Sequence, residues 1–93
     1  MKYRSRTDII AMILQAAAHG TTKTRIMYNA LLSYAQLKEY LTFLIGKGLM
    51  RDDGFGIYTP TQKGLELLRK YEGISSMVTL GQSESATVYS PEW

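Results

Sequence analysis

Apolar residues in the first half of the chain recur at intervals of three and four. Ile9, Met12, Ile13, Ala16 and Ala17 follow this spacing and predict a helix over residues 8–19. Thr7 stands where an N-cap belongs, Asp8 suits the positive end of the helix dipole, and Gly20 supplies a left-handed stop after His19. Asp8, Ala11, Gln15 and Ala18 fall on the opposite side. Thr22 caps a second, shorter helix over residues 23–29, with Ile26 and Met27 directed inward. After a turn at residues 30–32, Ser33 opens a third helix that continues to Lys47 and ends at Gly48. Its buried face is expected to hold Leu37, Tyr40, Leu41, Leu44 and Ile45. At 100° per residue, Ala35, Gln36, Glu39, Thr42 and Gly46 lie opposite Leu37.

The period then changes. Residues 49–51 and 57–59 read as short strands around Asp52-Asp53-Gly54-Phe55-Gly56, where Asp-Gly supplies the positive φ angles of a tight turn. Pro60 ends the second strand, and Thr61 caps a fourth helix over residues 62–71. The order predicts a mainly α domain with a small β-hairpin, occupying residues 1–73. Residues 74–93 are rich in Ser and Thr, show no helical period and contain Pro91. They are expected to form a flexible or loosely docked tail. Met77, Val78, Leu80, Val88, Tyr89 and Trp93 are the positions in it suited to strand pairing or a partner.

A chain of 93 residues has room for one compact domain. Its longest apolar run falls short of the roughly 20 residues that cross a bilayer, and helix caps flank it where a signal peptide would have a cleavage site. A cytoplasmic, nucleoid-associated protein without membrane contact is expected. With no cysteine, neither a disulfide framework nor a thiolate metal site is available. The formal charge of +3 is uneven: residues 1–73 hold all 11 Lys and Arg against six acids, while the tail holds only Glu84 and Glu92. A basic body suits nucleic acid, and also suits many ordinary soluble domains.

Two helices joined by a short turn and followed by a hairpin have a specific physical use. The second helix has the width to enter a major groove, and the hairpin can lie beside it. The segments Thr24-Arg25-Ile26-Met27-Tyr28, Leu32-Ser33-Tyr34-Ala35-Gln36-Leu37-Lys38-Glu39-Tyr40-Leu41, Gly48-Leu49 and Tyr58-Thr59-Pro60-Thr61-Gln62-Lys63-Gly64 resemble an archaeal family of winged helix-turn-helix transcriptional regulators. The resemblance spans residues 6–71. It implies a three-helix core, a wing hairpin and a C-terminal helix, with double-stranded DNA as partner and a homodimer as a frequent state. Some relatives extend the last helix into an antiparallel coiled coil between subunits; Gly73 and the Ser-rich tail are expected to break that extension here.

On this reading Ser33, Tyr34, Gln36, Lys38, Glu39 and Thr42 of the third helix face DNA. Gln36 suits a bidentate pairing with adenine, Lys38 a guanine or a phosphate, and Glu39 a cytosine amino group. Ser33 and the helix start suit a phosphate. Lys23 and Arg25 suit phosphate contacts, and Lys2, Arg4 and Arg6 form a basic arm that either reaches DNA or merely solubilises the end. Arg51 is the only cation of the wing, whose Asp52 and Asp53 repel phosphates, so a short wing that barely touches DNA is expected. Leu67, Tyr71 and Ile74 lie apart from Leu65 and Leu68 on the fourth helix and are candidates for a dimer interface.

No catalytic constellation accompanies these features. His19 is the only histidine and suits a helix end, and the sequence carries no phosphate loop, nucleophile elbow or paired metal ligands. No enzyme, no cofactor and no metal are expected. Seven tyrosines invite stacking on single strands, but Tyr28, Tyr34, Tyr40 and Tyr58 are assigned to the core. The competing reading is a winged-helix protein–protein interaction module without DNA affinity, because one scaffold hosts both uses.

Overall fold

The computed structural model describes residues 4–83. Helix α1 spans Arg6–Ala16, α2 Lys23–Ala30 and α3 Tyr34–Gly46; strands β1 (Met50–Asp52) and β2 (Tyr58–Pro60) form an antiparallel hairpin, and α4 spans Gln62–Ser83. The strands pair Met50 with Pro60, Arg51 with Thr59 and Asp52 with Tyr58.

Each of the first three helices begins where a side chain satisfies an otherwise unpaired first-turn amide. Ser5, not Thr7, caps α1: its hydroxyl accepts from the Asp8 amide while the Asp8 carboxylate accepts from the Ser5 amide, both at 3.0 Å. The cap moves because Asp8 completes a box with a serine three residues earlier, and Thr7 has no such partner. Thr22 caps α2 and Ser33 caps α3 as expected. Helix α1 stops at Ala16, short of His19, through the turn that leads to Gly20 at φ +85°. The C-terminus of α2 is held by Arg4, whose guanidinium donates to the carbonyls of Ala30 and, at 3.0 Å, Leu31. Arg4 therefore caps a helix rather than serving as an arm.

The core lies between α1, α2, α3 and the start of α4. Ile13, Leu14, Ile26, Leu37, Leu44 and Met50 are fully buried, and each such side chain contributes roughly 1.5–3 kcal/mol relative to exposure. Two readings of individual faces change. Ala11, assigned to the outer side of α1, is buried, because α1 packs against both α2 and α4 and so covers a wide arc. Ile45, assigned to the buried face of α3, is 41% exposed.

Thr21 and Tyr58 exchange backbone hydrogen bonds of 3.1 and 2.8 Å, which ties the α1–α2 connection to β2. Thr61 links β2 to α4: its hydroxyl donates to the Gly48 carbonyl at 2.6 Å and accepts from the Gly64 amide at 3.1 Å. Gly64 is buried against the Leu49 carbonyl so closely that a Cβ there would overlap the oxygen.

Helix α4 does not stop at Tyr71 but continues through Gly73 to Ser83. Glycine inside a helix costs about 1 kcal/mol, yet it keeps its amide and clashes with nothing, so an established helix passes through it. The first ten residues of the expected tail are accordingly helical. The apolar positions Val88, Tyr89 and Trp93, like Lys2, lie outside the described residues.

Candidate nucleic-acid interface

The outer surface of α3 is built from its N-terminus. Ser33 and Gln36 form a reciprocal box: the Gln36 amide donates to Ser33 Oγ at 3.1 Å, and the Ser33 amide donates to Gln36 Oε1 at 3.0 Å. The box fixes the first turn and also occupies the oxygen that a bidentate adenine contact needs. Gln36 Nε2 remains the group directed away from the box. Ala35, Gln36, Glu39, Thr42 and Gly46 are exposed, as the helical arc predicts, and so is Lys38.

A second exposed row runs along the flank of α3. Tyr34 is 57% exposed, and Tyr34, Lys38, Thr42 and Ile45 line a cavity of about 180 Å³ with Lys23 of α2 and Tyr58 of β2. Lys23 Nζ sits 5.7 Å from the Tyr34 ring centroid, a cation–π distance that joins the starts of α2 and α3. Tyr34 and Tyr28, which is 70% exposed, are therefore surface residues rather than core. Tyr58 is half-buried, and Tyr40 packs at the edge of the core. Ile45, read as buried from the helical period, is 41% exposed although its neighbour Leu44 is fully buried. Its spacing of four, four and three from Tyr34 through Lys38 and Thr42 is the signal that places it on this row.

On the other flank, Arg6 stacks 5.3 Å from the Tyr40 centroid and 5.6 Å from that of Phe43. It lines a cleft with Tyr40 and Glu39, bringing a cation beside the one carboxylate on the outer surface of α3. Arg25 is exposed on α2, where its amide donates to Thr22 Oγ1 at 3.3 Å. Arg51 is exposed on β1. Helix α3 thus carries Ser33, Tyr34, Gln36, Lys38, Glu39 and Thr42 on its outer side, Lys23 adjoins its start, and Arg25 and Arg51 lie on neighbouring elements.

The wing is wider than a two-residue turn. Gly54 and Gly56 take the positive φ values, +84° and +91°, while Asp53 does not. Instead Asp53 Oδ1 accepts from the amides of Phe55 and Ile57 at 2.7 and 3.1 Å, and Asp52 Oδ1 accepts from Gly54 at 2.9 Å. Both carboxylates organise the loop, by side-chain acceptance rather than by left-handed backbone.

This arrangement of three helices, a connecting strand bridge, a hairpin and a following helix agrees with a family model, described as winged helix-turn-helix, that matches residues 3–79. The chain belongs to the winged helix-turn-helix family. Among solved structures, the winged helix-turn-helix chain is similar to Sso10a-2, described as a DNA-binding protein from Sulfolobus solfataricus. The likeness has a TM-score of 0.69 at 21% identity and covers 96% of this chain and 100% of that one. At this identity it is a likeness of fold. No curated protein matches.

The proposed dimer residues divide. Leu67 is 38% exposed on α4, whereas Tyr71 is half-buried against α1, where its hydroxyl donates to Asp8 Oδ1 at 2.6 Å. Ile74 lies on the continued part of α4. Among the described residues of this winged helix-turn-helix chain, no helix is long and apolar enough to cross a membrane, and no group of His, Cys, Asp or Glu is placed to hold a metal ion.

Proposed function

We propose that this chain binds double-stranded DNA by laying α3 in the major groove and acts as a transcriptional regulator. The exposed side of α3 carries the reading: Gln36, Lys38, Glu39 and Thr42 point outward from a helix whose first turn is fixed by the Ser33–Gln36 box. Lys23, Arg25 and Arg51 stand around it as exposed cations suited to phosphates. The helix start, with Ser33 and Tyr34, offers first-turn amides to a phosphate. Similarity to a protein described as DNA-binding supports the same use. No catalytic step, cofactor or metal enters this reading, which places the protein with the nucleoid.

A homodimer through α4 accompanies it. The helix continues well past the core, and exposed Leu67, with Ile74 seven positions further along, offers a line suited to a second copy, beside Tyr71, which is half-buried against α1. Two recognition helices related by a two-fold axis would meet successive grooves about 34 Å apart.

Titration of random-sequence duplex at several salt concentrations tests the proposal. Micromolar or tighter affinity is expected, falling steeply as salt rises, with a log–log slope of about −0.9 per phosphate neutralised. Absence of salt-dependent affinity would leave the chain a protein–protein module.

A further inference from the structure

Phe55 at the wing tip is 90% exposed. The loop does not need it. Its shape comes from Gly54 and Gly56 and from the amides that Asp52 and Asp53 accept, all of which are independent of the ring at position 55. The tip therefore presents an aromatic knob with two adjacent carboxylates. Negative charge makes this a poor probe of a phosphate backbone.

The cavity beside α3 has the complementary character. Leu37, Leu41, Ile45, Tyr34 and Tyr58 give it an apolar lining, and Lys23 and Lys38 contribute two ammonium groups. It is a groove open to solvent on one side, with a volume of about 180 Å³, large enough to take an aromatic ring. The chain's own wing does not fill it: β2 supplies Tyr58 to the cavity wall, while Phe55 projects into solvent from the same hairpin.

We propose that the wing tip of one copy enters the α3 cavity of a second copy, with Phe55 against the apolar lining and Asp52 and Asp53 facing Lys23 and Lys38. Knob and hole occupy different surfaces, so the contact is head-to-tail and propagates from copy to copy unless it closes into a ring. It is small, below the roughly 800 Å² of a lattice-type contact, and forms where chains are concentrated. It also covers Lys38 and Thr42, so self-association and any use of the outer surface of α3 exclude each other. The inference goes beyond the DNA reading, and its test contains no DNA.

A ¹⁵N-labelled Phe55→Ser chain keeps the hole and lacks the knob. Titrated with unlabelled wild type to about 1 mM, the range of a weak contact, it is expected to show saturable amide shifts at Lys23, Tyr34, Lys38 and Ile45. These should shrink severalfold in about 0.5 M salt, where screening reaches only a few ångströms. Unlabelled Phe55→Ser as titrant should leave the same amides unmoved, which also separates the contact from subunit exchange through α4. No shift with wild type overturns the proposal. Equal shifts with both titrants overturn it in favour of another occupant, the segment 84–93 with Tyr89, Glu92 and Trp93. Shifts produced by 3-phenylpropionate but not by the wild-type chain would assign the cavity to a diffusible ligand and equally overturn it.

Discussion

The Tyr71 hydroxyl donates a 2.6 Å hydrogen bond to Asp8 Oδ1, tying the middle of α4 to the first turn of α1. The same carboxylate accepts from the Ser5 amide through its other oxygen, so Asp8 caps one helix and anchors another. The Tyr71 hydrogen bond first, then those from Ser5, hold the Asp8 carboxyl below its usual 3.8, while Asp8 raises the Tyr71 phenol above its usual 10.0. Asp8 has a depressed folded-state value, so its contribution to stability is present above about 3.8 and is lost as pH falls through the lower folded value. Tyr71→Phe is expected to let the Asp8 value rise toward normal, so that the variant loses less stability than the wild type as pH falls below about 3.8. The phenol acts in the opposite direction: its contribution is present below about 10 and disappears as pH rises through the raised value. Urea unfolding from pH 2 to 11 reads both limbs, and superimposable curves for wild type and variant would remove the linkage.

Two glycines of α4 should respond in opposite ways to alanine. Gly64→Ala places a Cβ on the Leu49 carbonyl, in backbone that Thr61 also bonds, and is expected to destabilise by about 1–3 kcal/mol or more. Gly73 has nothing within reach of an added Cβ, and Gly73→Ala should stabilise by roughly 0.5–1 kcal/mol. Urea midpoints at unchanged slope measure both.

Gln36 serves α3 and, in the proposed function, DNA. Gln36→Glu preserves an acceptor for the Ser33 amide, so stability should change by no more than about 0.5 kcal/mol. It removes the amide donor, and discrimination at one base pair should fall by about 1–3 kcal/mol. Arg25→Ala should instead weaken all sequences alike and reduce the salt slope by about one. Competition titrations on a panel of single-base variants separate the two patterns; identical profiles would remove Gln36 from the readout.

Leu67 is exposed in the single chain, so replacing it leaves the fold intact while changing the surface proposed for a partner. Leu67→Glu is expected to convert a dimer into a monomer at tens of micromolar in sedimentation equilibrium, with helical circular dichroism retained. A wild-type chain that already sediments as a monomer at that concentration would end the dimer proposal.

Much of the outer surface of α3 is legible in the sequence alone. Ser33 as cap and Gln36, Glu39 and Thr42 as outward residues follow from helical angle and local hydrogen bonding, which act within a few residues. The Gln36 side chain bonded back to Ser33 was not read in the sequence, although serine followed three positions later by glutamine is the capping pattern. Ile45 and Tyr34 were not legible, because an apolar residue on a helix is buried only if another element reaches it.

The order of elements, the caps at Thr22 and Ser33, the link at Thr61 and the hairpin position were properties of short segments, settled by period, side-chain acceptors and glycine. Contacts between distant segments decided the rest. Arg4 reached the end of α2, Thr21 paired with Tyr58, Ala11 was enclosed from two sides, and α4 ran on past Gly73. Local pattern fixes the direction in which a residue points along its own helix, whereas what meets it there depends on how separate elements pack.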